Sequence, residues 1–306
     1  MNKSIFNTLI WVFSRVGIIY LIFILFLFTC VDLKKLDLRI KIRHVNAAMP
    51  NFSSLIAFAK HKKNTTVDWK KYKNYFEMIL QNNFDDVMTK NMLGYTYYFM
   101  GNEEKAQRMF EDSFFTGYQN CFWASYNLGV LNYKKGLYQQ ASNYLKKTIN
   151  INLVGSVEVM KSSIVYHQIF ASPEFTYNID EEILDALSSA YILMAATMIN
   201  LGQFEQAVKV CSLAMQNSQI RRKEAFFYYA GVAFFKLGVF DKAILFFQKH
   251  LEIEKNNPLV YSYMSQIYES VGRKEDSVKL FKIFQVLNNS NQKMAPYDQE
   301  IELRFF

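Results

Sequence analysis

Five times the chain repeats a glycine, a small residue five positions on and, four further, a residue that is bulky and apolar in most copies. The copies are Gly101-Ala106-Phe110, Gly136-Ala141-Leu145, Gly202-Ala207-Cys211, Gly238-Ala243-Phe247 and Gly272-Ser277-Phe281. Seven positions before each glycine stands another small residue: Gly94, Gly129, Ala195, Gly231 and Ser265. The glycines lie 35, 66, 36 and 34 residues apart, so one interval is nearly doubled. A self-similar period of this length specifies a repeat architecture. Such solenoids serve as surfaces for holding other molecules more often than as catalysts.

The spacing has a mechanical reading. An apolar stripe at helical period precedes each glycine, as in Phe227, Ala230 and Phe234, and a second follows it, as in Ala243, Ile244, Phe247 and Leu251. Each unit is therefore two short helices turning at a glycine, where a left-handed C-terminal residue costs least. The small residues fall where the paired helices cross, and the bulky one fills the space a helical turn away.

This pattern resembles the tetratricopeptide repeat family, with units starting at Val87, Phe122, Ser188, Glu224 and Pro258. The family's early aromatic is matched by Tyr191, Phe227 and Tyr261, and its second by Tyr97, Phe234 and Tyr268. Lys90 and Ser125 depart at the first of these positions, and Asn132 and Met198 at the second. The resemblance implies an all-α, right-handed superhelical solenoid of about five helix-turn-helix units, preceded here by one N-terminal transmembrane helix. The chain divides into an anchor at 1–31, a basic juxtamembrane linker at 32–67, a lead-in helix at 68–86, the solenoid at 87–289 and a tail at 290–306. The doubled interval is an insertion at 154–187, because a sixth repeat there would put Pro173 inside its second helix, where proline breaks the helix. A helix is expected over 157–170, a break at Ser172-Pro173, and the next helix from near Asp180. The insertion either covers the solenoid or meets a partner.

Residues Ile5–Val31 are almost wholly apolar, with Arg15 the only charge. Arg15 and Trp11 suit the headgroup layer, and the stretch is read as a single-pass span. A cleaved signal peptide and a lipidated Cys30 are the competing readings. The net charge of +8 would suit nucleic acid, but its distribution does not. Residues 32–73 hold eleven Lys/Arg and three Asp, while 74–306 hold 22 basic and 24 acidic residues. The excess lies beside the span, where it suits anionic headgroups or a solvated linker, and nucleic acid is not expected as a partner. Lys34, Lys35, Arg39, Lys41 and Arg43 favour a cytoplasmic solenoid; Lys3 and Arg15 ahead of the apolar run favour an extracytoplasmic one, which is slightly preferred. Abundant Lys, Asn, Ile and Phe point to an AT-rich bacterial genome, and hence to an inner-membrane location.

No catalytic, cofactor or metal site is expected. The closest glycines are seven residues apart, which leaves no phosphate loop. His44, His61, His167 and His250 form no ligand pair, and Cys30, Cys121 and Cys211 no C-x-x-C. The resemblance instead implies a concave groove lined by the first helices. Its aromatic members are Tyr95, Tyr98, Trp123, Tyr126, Tyr133, Tyr228 and Phe235. Of the Lys/Asn/Arg set with which some family members hold a C-terminal carboxylate, only Asn127 has a counterpart. The expected role is a membrane-tethered, non-catalytic scaffold or adaptor holding an apolar helix or extended peptide of a protein partner. A regulatory or accessory subunit of a membrane-associated enzyme is the alternative. The groove could also be filled from within, by the insertion or by the C-terminal residues 301–306.

Overall fold

The five turn glycines all adopt left-handed backbone, with φ between +72° and +79°. The amide after each glycine reaches back five residues to a helix carbonyl: Asn102 to Tyr97, Leu137 to Asn132, Gln203 to Met198, Val239 to Phe234 and Arg273 to Tyr268. Five copies of one helix-ending motif thus fix five identical reversals. The computed structural model describes residues 66–117, 121–166, 179–289 and 296–304. The expected membrane span, the basic segment as far as residue 65 and the Ser172-Pro173 break lie outside the described residues.

A lead-in helix α1 (Trp69–Asn82) precedes the first pair, α2 (Val87–Phe99) and α3 (Glu103–Thr116). The second pair is α4 (Phe122–Lys134) and α5 (Tyr138–Asn150), followed by α6 (Leu153–Lys161) within the insertion. Three more pairs follow: α7 (Ile179–Asn200) with α8 (Phe204–Gln216), α9 (Lys223–Lys236) with α10 (Phe240–Ile253), and α11 (Pro258–Ser270) with α12 (Lys274–Asn289). Each pair packs internally, and the pairs stack in order, with α7 set against α5 across the insertion. Caps help to place the starts: the side chains of Asp68, Asp86 and Asn102 accept from the amides of Lys71, Thr89 and Lys105. Every described helix or turn element is helical, in keeping with an all-α solenoid.

The small residues do what their spacing implies. A methyl group on Gly231 would stand 2.6 Å from the Phe247 ring, and one on Gly129 would stand 2.7 Å from Leu145. Phe110, Leu145, Cys211 and Phe247 are fully buried. The fifth copy departs, because Phe281 is 45 % exposed at the open end of the stack.

One expectation about the insertion needs correction and another holds. The helix expected over 157–170 begins earlier, at Leu153, where the Asn152 side chain accepts from the Gly155 amide, and ends at Lys161. The next helix begins at Ile179, close to the start expected near Asp180, and so ahead of the unit's register start at Ser188. It runs 22 residues against 13 or 14 in its counterparts, so α7 is more than two turns longer. Residues 180–200 are long and apolar enough to cross a membrane, but 72 % of the apolar window is buried within the solenoid. Its apolarity is used in packing between α5 and α8.

Candidate functional site

The first helices α2, α4, α7, α9 and α11 carry the residues expected to line a concave groove. That groove is occupied by the chain itself. Residues 296–304 return along it as a short 3-10 turn (Tyr297–Glu300) and an extended stretch, Ile301 to Arg304. Tyr297, Ile301 and Leu303 are buried. The alternation of Ile301 and Leu303 is the two-residue period of an extended segment that buries one face.

The solenoid holds this segment by its main chain. Asn127 donates from Nδ2 to the Arg304 carbonyl at 2.7 Å and accepts from the Arg304 amide at 2.8 Å. The same Nδ2 donates to Asn91 Oδ1 at 3.1 Å, which orients the amide. Tyr126 donates to the Glu302 carbonyl at 3.2 Å. Asn127, Asn91 and Tyr126 are all fully buried or nearly so, so their polar atoms need partners of this kind.

Side chains add selectivity. Asp298 is gripped by two phenols: Tyr133 donates to Oδ2 at 2.6 Å and Tyr229 to Oδ1, while the Asp298 amide donates to Tyr229 at 2.9 Å. Burial, and then Asp298 itself, push both phenols well above their ordinary pKa, so they remain donors at neutral pH. Lys134 pairs with Glu302 at 2.8 Å and Arg222 with Glu300 at 3.2 Å. The Arg304 guanidinium lies between Glu182 at 3.3 Å and Asp185. Both carboxylates sit on the extra N-terminal turns of α7. Tyr297 donates to Glu254 and packs against Tyr228 and His250, with ring centroids 5.8 and 6.0 Å away. Arg222, whose guanidinium lies over the Tyr297 ring, is the sole non-glycine residue with positive φ among those described (φ 59°). Backbone strain of this sort gathers at functional sites.

The expected groove residues therefore divide. Tyr126, Tyr133 and Tyr228 touch the returning segment. Trp123, expected to face the groove, is enclosed instead: it is 1 % exposed, its indole N–H points at Met160 Sδ 3.2 Å away, and α6 is held over it. The Phe122 amide donates to Ser156, and Asp86 accepts from both Ser163 and the Ile164 amide, so the insertion is tied to both of the first two units. Tyr95 is likewise buried, against Trp69 of the lead-in helix and Phe99. Tyr98 is half-buried beside Phe99, and Phe235 packs on Tyr263. Asn127, which the resemblance singled out alone, proves to be the main-chain clamp. Tyr229, Arg222, Glu182 and Asp185 carried no signal, because their roles depend on where residues 298–304 lie.

Beside Pro296, Asp298 and Gln299 the trough stays open as a cavity of about 550 Å³, lined among others by Tyr133, Tyr138, Ile199, Val232 and Tyr263. Among the described residues no group of three His, Cys, Asp or Glu is placed to hold a metal. The Cys121 and Cys211 thiols are buried, and burial pushes both pKa values up, away from nucleophilic reactivity.

The family model of the tetratricopeptide repeat matches residues 89–114. No curated protein matches the sequence. Among solved structures, MamA aligns at 17 % identity over 66 % of this chain and 98 % of its own, with a TM-score of 0.50. YrrB, described as a TPR protein with an unusual peptide-binding site, aligns at 11 % identity over 74 % of this chain and 96 % of its own, with a TM-score of 0.51. At these identities the likeness is one of fold.

Proposed function

The chain folds as a solenoid of tetratricopeptide repeats, and from that premise we propose that it is a membrane-tethered, non-catalytic scaffold that holds an extended segment of a protein partner in its tyrosine-lined trough. The observation that carries this reading is the Asn127 side chain, which pairs with both the amide and the carbonyl of one residue of an extended chain. Pairing with the main chain supplies affinity without regard to sequence, and alternate side-chain pockets supply selectivity. The open cavity beside Asp298 is the part of the trough a partner meets first. The fold it shares with a peptide-binding protein is in keeping with this role.

Cross-linking from intact membranes, followed by mass spectrometry, identifies the partner. Changing Tyr138→Ala and Ile199→Ser together removes apolar lining from the cavity while leaving in place the hydrogen bonds and ion pairs that hold residues 296–304. Partner recovery is expected to fall at least tenfold with helicity retained. Undiminished recovery by the folded double variant would exclude the cavity.

Tethering rests on the apolar run 5–31. The full chain is expected to stay in the membrane fraction through high salt and alkaline carbonate, because a span of this length is held by burial rather than by charge. Release of intact 1–306 into the soluble fraction would overturn the anchor. Protease accessibility in spheroplasts reports the side of the membrane on which the solenoid lies.

A further inference from the structure

The returning segment is bound in the way a foreign peptide would be. The amide and carbonyl of Arg304 pair with the Asn127 side chain, and the Glu302 carbonyl pairs with Tyr126. Hydrogen bonds between main-chain groups within the segment are confined to its first turn, from the Gln299 amide to Pro296 and from the Ile301 amide to Asp298. Its contacts with the solenoid span 165 to 177 residues of sequence on α4 and 119 to 122 on α7. Nothing in this binding requires the occupant to belong to the same chain.

The segment also does not fill the trough. The cavity of about 550 Å³ continues past Pro296 and Gln299, between the tyrosines of α4, α9 and α11. A second copy of this chain would bring the same short segment and leave the same space empty. An occupant that fills the whole trough carries an additional bulky apolar side chain beside its acidic residue.

We propose that the trough's partner is an extended protein segment with an acidic residue flanked by a bulky apolar one, followed by two apolar residues two positions apart and an arginine directly after them, and that residues 296–304 occupy its place until it arrives. This rests on the scaffold reading above and gives it a ligand grammar. Asp298 fixes the acidic position between Tyr133 and Tyr229, Ile301 and Leu303 fix the apolar pair, and Arg304 fixes the cation between Glu182 and Asp185. A tethered competitor is present at an effective concentration of order millimolar, so a partner of equal intrinsic affinity binds the closed chain weakly.

The test uses the purified full chain and a fluorescent peptide with the sequence of residues 296–306, so that it needs no partner in hand. Glu302→Lys with Arg304→Glu sets like charges against Lys134 and against Glu182 and Asp185, opening the trough without removing a buried apolar group. This opened chain is expected to bind the labelled peptide at least tenfold more tightly than the wild type. Adding Asp185→Arg re-pairs the reversed charge within the chain and repels the peptide's arginine, so it should close the trough again. This rescue distinguishes opening from unfolding. A peptide N-methylated at the position of Arg304 cannot donate to Asn127 and should bind the opened chain at least tenfold more weakly. Equal affinity of wild-type and opened chains overturns the proposal, as does an opened chain of full helicity that ignores the peptide. Equal binding of the methylated peptide, or a wild-type dimer formed by exchange of these segments, overturns it too. Failure to recover a partner from membranes would count against the scaffold reading alone.

Discussion

Trp123→Ala is expected to lower the stability of the solenoid by about 3–5 kcal/mol, the usual cost of emptying a fully buried large aromatic site. Thermal unfolding should register a fall in Tm of roughly 10 °C. The indole is 1 % exposed, edge-on to Phe122 at 4.9 Å, and lies under Met160 of α6. Its loss removes the surface on which the insertion rests, so the Phe122–Ser156 and Asp86–Ser163 contacts should loosen with it. Had Trp123 been an exposed anchor for a partner, alanine there would leave Tm nearly unchanged. An unaltered melting curve would mean that α6 does not close over it.

Gly231→Leu is expected to force open one of the helix crossings of the repeat core. Even a Cβ there would stand 2.6 Å from two Phe247 ring carbons, and a leucine must force α9 and α10 apart. Overpacking of this kind costs about 1–3 kcal/mol, with the damage concentrated in adjoining repeats. Hydrogen exchange should therefore speed up in α9 to α11 and change little in α2 and α3. Val232, on the same helix, is buried at the trough and makes a poor control, whereas Lys236 is exposed. Lys236→Leu should shift Tm by no more than a degree or two. Equal losses from the two changes would contradict the helix pairing.

The sequence made the repeats legible because each unit repeats a local rule. A left-handed turn needs glycine, and a close crossing needs a small residue, whatever lies elsewhere in the chain. Gly231 opposite Phe247 could be read from spacing alone. The residues expected to line the trough do lie on the first helices, but which of them reach it could not be read. Whether Trp123 meets a partner or Met160 depends on where a segment 37 residues downstream folds back, and no periodicity encodes that. The same holds for Asp298, whose phenol partners lie 165 and 69 residues away on different helices. The early start of α7, near Asp180, was legible, but the partners of its first turns were not, for a related reason. Asp180, Glu181 and Glu182 look like an ordinary acidic first turn, and nothing local says that Glu182 and Asp185 face a distant arginine.

Asp298 joins Tyr133 of α4 to Tyr229 of α9, two helices with the whole α7–α8 pair between them. A stack in which each layer touches only its neighbours behaves as a spring, free to bend or unwind one layer at a time. A strap from the second layer to the fourth, continued through Arg304 to the third, acts like the string of a bow. While it is seated, the curvature of those three layers is set by the length of residues 298–304. Once it is lifted, they regain the compliance of an untied coil, and the distance between α4 and α9 becomes a gauge of what the trough holds.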